Sequence, residues 1–302
     1  MLPLATALGC ALAAPSVSLN AVPPQLLRRG RPRTAITAAN QVLQRRPDDA
    51  DAMAWIAAGW VATGHPTDAA AAFALSSGSA WYEDVGIDAH GDALRSLQPT
   101  SAAVLHTERL RMGDLRDARA IRLYLDIIDD HRMAGDIESA LDTAAEALGR
   151  WPRAAAVQAA LADVSMDLGD LEAAGAHLWQ ARRESVTLRV HLAEGRLALL
   201  EGRPGDALQE ARLAARGRGP SLRISALEAE SLRQLGEPQA AADALAPMRT
   251  HTTDAPDVLA VRLRVNADLG ADRENRALAT RARKFPGHPI LAPLLQELGL
   301  AN

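Results

Sequence analysis

The chain has 302 residues, 48% of them apolar and 23% charged, a composition that excludes an intrinsically disordered protein. Alanine and leucine dominate the apolar residues and only 3% are aromatic, which predicts an all-α fold. The formal charge of −4 gives no bulk positive excess, which argues against a nucleic-acid-binding protein. The single cysteine, Cys10, excludes an intrachain disulfide and a cysteine-based zinc cluster.

The N-terminal segment predicts a leader in residues 1–15. Leu2–Ala14 has the length of a signal-peptide apolar region, Ala11-Leu12-Ala13 matches a cleavage pattern, and Ala7-Leu8-Gly9-Cys10 resembles a bacterial lipobox. Because no Lys or Arg precedes it, a frayed terminal helix or a truncated start is the alternative. With a genuine leader we expect a periplasmic or membrane-anchored protein, and otherwise a cytoplasmic one.

A glycine-centred word recurs along the chain. It begins as "RRGRPRTAI" and "ATGHPTDAA", and after an irregular stretch it returns from residue 133 onward. Within each run the glycines are spaced by 33 or 34 residues: Gly30 and Gly64, then Gly135, Gly169, Gly202, Gly236 and Gly270. A period of this length indicates an array of repeated supersecondary units.

Each word predicts the bend of a helical hairpin. Glycine tolerates the left-handed conformation that ends a helix. Proline two residues later suits the first turn of the next helix, as at Pro32, Pro66, Pro204 and Pro238. Five residues after the glycine, a small residue lets the two helices approach closely at Ala35, Ala69, Ala140, Ala174, Ala207 and Ala241. Only Asn275 breaks this series.

These residues resemble the tetratricopeptide repeat, a helix–turn–helix unit of 34 residues. Trp60, Gly64, Ala69 and Phe73 take the family's positions eleven, fifteen, twenty and twenty-four. The resemblance implies a right-handed α-solenoid of about eight antiparallel hairpins over residues 16–302. Its repeats start near residues 16, 50, 84, 121, 155, 188, 222 and 256, and a capping helix lies within residues 290–302.

Three departures from the repeat pattern are visible. The repeat at residue 84 keeps Gly91 and Ala103 but has Gln98 where the bend glycine belongs. About three extra residues precede Ile121. Pro23-Pro24 is expected to break the first helix of the first repeat, so we predict a degenerate N-terminal unit.

The resemblance also implies a concave groove lined by positions two, five, nine and twelve of each first helix, which share one helical stripe. The charged residues at these positions are Arg122, Asp129, Arg132, Asp163, Arg189, Arg196, Arg223, Glu230, Arg233 and Arg264. In one interpretation, the guanidinium groups bind carboxylates of an extended partner. In the other, neighbouring repeats pair internally, Arg132 with Asp163 or Asp167 and Arg196 with Glu230.

The segment "WYEDVGIDAHGDALRSL", residues 81–97, is a second candidate site. Glu83, Asp84, Asp88, His90 and Asp92 are metal-ligand types. The repeat frame turns His90 inward and places Asp92 on another face, so we predict no metal site. The aromatic pair Trp81 and Tyr82 is expected to cap the preceding repeat or to anchor a partner.

No metalloprotease motif or glycine-rich phosphate loop occurs in the sequence, so we expect neither enzymatic activity nor a cofactor. The predicted function is a scaffold or adaptor that binds a protein or peptide in the groove, as an envelope assembly factor if the leader is genuine. A helical-repeat protein that binds nucleic acid or polysaccharide is the alternative. RNA-reading arrays carry a regular polar pair in each repeat, which is not found here, so no nucleic-acid partner is expected. Membrane contact is expected only through the leader or a lipid anchor.

Overall fold

The computed structural model describes residues 22–63, 65–76, 79, 87–95, 97–112, 115–216, 221–246, 256–285, 288 and 290–301. All regular secondary structure in these ranges is helical, which confirms the predicted all-α fold. The candidate leader, Gly64, Trp81, Tyr82, Glu83 and Asp84 lie outside the described residues, as does the side chain of Asp88.

Seventeen helices occupy the described ranges, and the first sixteen pair as successive hairpins. The first helices of the hairpins are α1 (Val22–Arg28), α3 (Ala50–Ala62), α5 (Ile87–Arg95), α7 (Asp117–Ala134), α9 (Ala155–Asp167), α11 (Leu188–Leu200), α13 (Leu222–Gln234) and α15 (Pro256–Asp268). The second helices are α2 (Pro32–Arg45), α4 (Pro66–Ala74), α6 (Pro99–Arg111), α8 (Ile137–Arg150), α10 (Leu171–Glu184), α12 (Pro204–Ala215), α14 (Pro238–Leu245) and α16 (Asp272–Ala282). Helix α17 (Leu291–Glu297) follows the last hairpin. The predicted helical-repeat solenoid is thereby confirmed.

The bends follow the predicted local chemistry. Gly135 ends α7 with a φ of 77°, and its N–H donates to the carbonyl of Arg132 at 3.1 Å. The next helix begins with a capping side chain, such as Asp136, which accepts from the N–H of Ser139 at 3.2 Å, or with one of the predicted prolines. Pro99 likewise begins α6, so the repeat without a bend glycine still starts its second helix with proline.

Close helix approach depends on the predicted small residues. All six alanines of the series are fully buried. Asn275 is also buried, and its side-chain amide donates to the carbonyl of Leu263 at 3.0 Å, a polar link between α16 and α15. Between successive hairpins, a Cβ added at Gly195 of α11 would lie 2.5 Å from the Leu227 side chain of α13, so Leu227 packs directly on this glycine and would have to shift to admit a larger residue.

Two departures from the repeat pattern lie at the start of helices. Pro23 and Pro24 lie in the first turn of α1, described from Val22, where their missing N–H groups have no helical partner. The predicted break in the first helix of the repeat at residue 16 falls on residues outside the described ranges. The extra residues before Ile121 lengthen α7, which begins at Asp117 and runs for 18 residues.

The first helices form one continuous layer from α7 to α15, in which each contacts the next first helix along the chain. Helix α17 packs on α15, burying Leu291, Leu294 and Leu295 against Leu259 and Leu263. Met133 of α7 also packs against this cluster, so the last hairpin curls back toward the middle of the array. Of the helices in the described ranges, none combines the length and apolar character needed to cross a bilayer.

Candidate functional site

The stripe predicted to line the groove carries a buried ionic cluster on α7, α9 and α11, which we call the groove floor. We use this name for Asp129, Asp163, Asp167, Arg132, Arg189 and Arg196. The Nε of Arg132 lies 2.5 Å from Asp167, and its Nη1 lies 3.6 Å from Asp129 and 3.7 Å from Asp163. One guanidinium thus bridges carboxylates on two first helices.

The two arginines of α11 complete the groove floor. The Nη2 of Arg189 lies 2.7 Å from Asp129 and 3.4 Å from Asp163. The Nη1 of Arg196 donates to the main-chain carbonyl of Asp163 at 3.1 Å, and its Nη2 pairs with Asp167. The aspartates therefore join three consecutive repeats through alternating charges.

The electrostatics keep Asp129 and Asp167 of the floor ionised. Burial opposes the charged form of Asp129, but Arg189, Arg223 and Arg132 outweigh it and hold the pKa of its carboxyl well below the usual range. At Asp167 burial also acts to raise the pKa, and the charges and hydrogen bonds of Arg132 and Arg196 lower it overall. These groups are charged at neutral pH and mutually neutralised.

This geometry bears on the two interpretations of the groove. Arg132 contacts both Asp163 and Asp167, as the internal-pairing interpretation expects. Arg196 reaches back to α9 rather than forward to Glu230, so the suggested Arg196–Glu230 pair is not formed. Glu230 instead accepts hydrogen bonds from Arg233 at 2.9 and 3.0 Å. Whether these residues bind a partner stays a prediction.

Three other arginines of the same stripe, here called the rim arginines, point to solvent. They are Arg122, Arg223 and Arg264, whose side chains are 74%, 54% and 35% exposed. Their nearest carboxylates are Asp126 at 3.7 Å, Asp129 at 3.1 Å and Glu230 at 3.7 Å, in the same order. Arg233, 23% exposed, is as buried as the floor arginines, and besides Glu230 it reaches the more exposed Asp268 at 3.2 Å.

The region of the second candidate site holds a buried polar joint between α5, α6 and α7. Asp92, predicted not to converge with other ligand types, comes within 4.8 Å of donor atoms of His106 and Asp126 on the next helices. Arg95 fills this joint, 3.0 Å from Asp126 and 2.5 Å from Asp130. Sequence reasoning considered only local neighbours and so missed these partners.

The pKa values of the joint reflect its burial. Burial raises the pKa of Asp92, with Arg95 opposing the shift. At His106 burial acts to lower the pKa, but the hydrogen bond and charge of Asp130, whose carboxylate lies 2.7 Å from Nδ1, raise it overall. His90 stacks on Phe73 with ring centroids 5.1 Å apart, and burial lowers its pKa. With Arg95 inside it, the joint is a structural link between hairpins.

Two further features were not foreseen. His191, Glu194 and Glu210 bring one donor atom each to within 4.8 Å of one another, and the only sequence signal was the His-x-x-Glu spacing on α11. On the second-helix side, Trp179 is 58% exposed beneath the guanidinium of Arg183, which lies 4.7 Å from the ring centroid. Trp179 borders an open cleft of about 650 Å³, lined also by Pro152, Gln158, Ala176, His177 and Gln180.

The tetratricopeptide repeat family model matches residues 25–82 and 125–185. No curated protein matches the sequence significantly. Among solved structures, the chain is similar to one in the APC/C hetero-tetramer Cut9–Hcn1, with a TM-score of 0.49 and 16% identity over 91% of this chain. It spans 54% of that chain's length.

Two bacterial structures are also similar. PilF of Pseudomonas aeruginosa matches with a TM-score of 0.48 and 17% identity, over 70% of this chain and 96% of that one. A tetratricopeptide repeat protein from Parabacteroides merdae matches with a TM-score of 0.44 and 13% identity, over 82% of this chain and 97% of that one.

Proposed function

We propose that this chain, which the tetratricopeptide repeat family model matches over residues 25–82 and 125–185, is a non-catalytic scaffold that binds an extended acidic segment of another protein along its groove. The fold commonly serves as a protein–protein interaction scaffold and is generally non-catalytic. The fold alone does not specify which partner binds, so we infer the chemical class of the partner from the side chains that line the groove.

The exposure of the rim arginines is the observation that supports an acidic partner. A guanidinium has five N–H donors in a planar fork that suits carboxylates. Arg122 and Arg264 lie 3.7 Å from their nearest carboxylates, beyond good hydrogen-bond distance, so these ion pairs leave guanidinium donors available to a ligand. Arg223 donates to Asp129 and is still half exposed. Three cations with spare donors therefore border one groove.

The groove floor has a different role in this proposal. Arg132, Arg189 and Arg196 are committed to aspartates, and releasing one of them for a ligand would remove part of the positive charge that compensates the buried carboxylates. The floor thus fixes the spacing of the first helices, and the rim makes the contacts.

Binding to extended peptides tests the proposal. We expect Glu/Asp-rich peptides to bind the native chain in preference to neutral peptides of the same length, with an affinity that falls as salt rises. The triple variant Arg122→Gln/Arg223→Gln/Arg264→Gln should lose this binding while keeping its helicity.

A matched control replaces three exposed arginines outside the groove, Arg150, Arg153 and Arg203, with glutamine. Equal loss in both triple variants, or no preference for acidic peptides, would contradict the groove proposal. Steeply salt-dependent binding of single-stranded RNA that the rim variant abolishes would instead favour the nucleic-acid alternative.

An envelope assembly role is the more specific version of this proposal for an exported chain. Its test is the mass of the N-terminus in the native host. A chain processed within residues 1–15 and recovered outside the cytoplasm supports export, whereas an unprocessed cytoplasmic chain contradicts it.

A further inference from the structure

We propose that His191, Glu194 and Glu210 form a binding site for a divalent transition-metal ion of the Zn²⁺ type, at the junction of α10, α11 and α12. The site is separate from the groove and independent of the scaffold function proposed above. Imidazole nitrogen combined with carboxylate oxygen is a donor set that Zn²⁺ prefers, with water completing a four-coordinate shell.

The donors are already close together. His191 and Glu194 lie one turn apart on α11, and Glu210 faces them from α12 of the same hairpin. The Nδ1 of His191 lies 2.6 Å from Oε2 of Glu210, and the three donor atoms fall within 4.8 Å of one another. Each side chain is about 15% exposed, so an ion can reach the cluster from solvent although most of each side chain is buried. An ion would need only small side-chain movements to be enclosed.

The equivalent positions of another hairpin show what these residues replace. Two repeats later, Leu259 of α15 and Leu278 of α16 occupy the positions of His191 and Glu210, and both are buried in one apolar cluster. The α11–α12 hairpin therefore has an imidazole and a carboxylate where the α15–α16 hairpin has an apolar contact. The preceding hairpin also pairs polar side chains at these positions, Gln158 of α9 and His177 of α10, whose Oε1 and Nδ1 lie 2.9 Å apart, but neither of those side chains is a carboxylate.

A cation already lies between the two carboxylates. The Nη1 of Arg182, which extends from α10, is 2.6 and 2.7 Å from the two oxygens of Glu194 and 4.0 Å from Glu210. The Arg182 side chain is 50% exposed and can swing into solvent. A divalent ion would take its place, with both glutamates and the neutral imidazole as ligands.

The joint at Asp92, His106 and Asp126 offers similar donors but differs at this point. Its arginine, Arg95, is only 20% exposed and contacts Asp92, Asp126 and Asp130. Displacing it would unmake three ion pairs, whereas displacing Arg182 releases a half-exposed side chain. The geometry therefore favours the α11–α12 cluster as the metal site.

Titration of the full chain with Zn²⁺ alone, followed by calorimetry in a non-chelating buffer, tests the proposal. We expect saturable binding that also raises the melting temperature, because the ion binds the folded state. Glu210→Gln and His191→Ala should each weaken binding more than tenfold. Glu228→Gln, which changes the equivalent of Glu194 one repeat later, is the matched control and should bind like the native chain.

Arg182→Gln is a second test, in which Zn²⁺ binding should become stronger and all three proposed ligands are kept. Removing the competing guanidinium should tighten Zn²⁺ binding, and the ring signals of His191 should shift at lower metal concentration. Equal Zn²⁺ affinity in the native chain, Glu210→Gln and His191→Ala would overturn the proposal. So would unchanged or weaker binding in a folded Arg182→Gln variant.

Discussion

The floor and the rim of the groove both carry arginines, but the floor arginines pair with buried aspartates whereas the rim arginines are more exposed to solvent. On the floor, Arg132, Arg189 and Arg196 are mostly buried and each contacts at least two carboxylates. On the rim, Arg122 is 74% exposed and has one distant carboxylate. A charged stripe of constant helical phase therefore contains both structural and available arginines, and burial distinguishes them.

Replacement of Asp129 should break this comparison most strongly. Asp129→Asn removes the charge shared by Arg132, Arg189 and Arg223 and leaves the three floor arginines with the two remaining carboxylates, Asp163 and Asp167. We expect the free energy of unfolding to fall by about 3–5 kcal/mol, measured by urea denaturation. Asp206→Asn, at an exposed carboxylate paired with Arg203, is the control and should change little. Similar losses in both variants would show that the floor is not special.

Acid should act selectively on the floor. Because the folded-state pKa values of Asp129 and Asp167 are lowered, their stabilisation is fully present above the unfolded value of about 4 and is lost as pH falls below it. The free energy of unfolding, followed from pH 6 to pH 3, should drop steeply in the native chain. Asp129→Asn/Asp167→Asn should give a flatter profile, and an equally steep one would contradict this assignment.

Arg233 tests the boundary between the two regions. Arg233→Gln removes pairs with Glu230 and Asp268 but leaves Arg264 near Glu230. A loss of about 1–2 kcal/mol in thermal or urea unfolding is expected, less than for Asp129→Asn. A loss as large as that of Asp129→Asn would extend the structural floor to α13.

Arg122 should show the smallest effect. Arg122→Gln removes a surface pair at 3.7 Å, so the free energy of unfolding should change by less than about 0.5 kcal/mol. Its effect should instead appear in the affinity for acidic peptides. A marked loss of stability would assign Arg122 to the floor.

The hairpins were predictable because their signals are local. A bend glycine at positive φ, such as Gly135, and a small residue, such as Ala140, are requirements of one turn and one contact. The long α7 was missed for a related reason, since a helix can extend backward to Asp117 without disturbing any bend that fixes the repeat frame.

The pairing of Arg132 with Asp163 and Asp167 on the next repeat was predictable, but the longer-range partners were not. The family resemblance assigned Asp129 and Arg223 to the predicted groove face, and helical spacing put such positions on one stripe of each helix. Their contact depends on curvature accumulated over four first helices, which no short sequence window contains. Glu210 was missed because its relation to His191 is set by the packing of α11 on α12.

The Arg223–Asp129 ion pair has a mechanical consequence. It links α13 directly to α7, although two repeats lie between these helices in the chain. An array held only by adjacent interfaces would stretch and unzip one repeat at a time. With this ion pair, the four hairpins from α7–α8 to α13–α14 should resist extension together, and the pitch of the solenoid should widen only after the ion pair breaks.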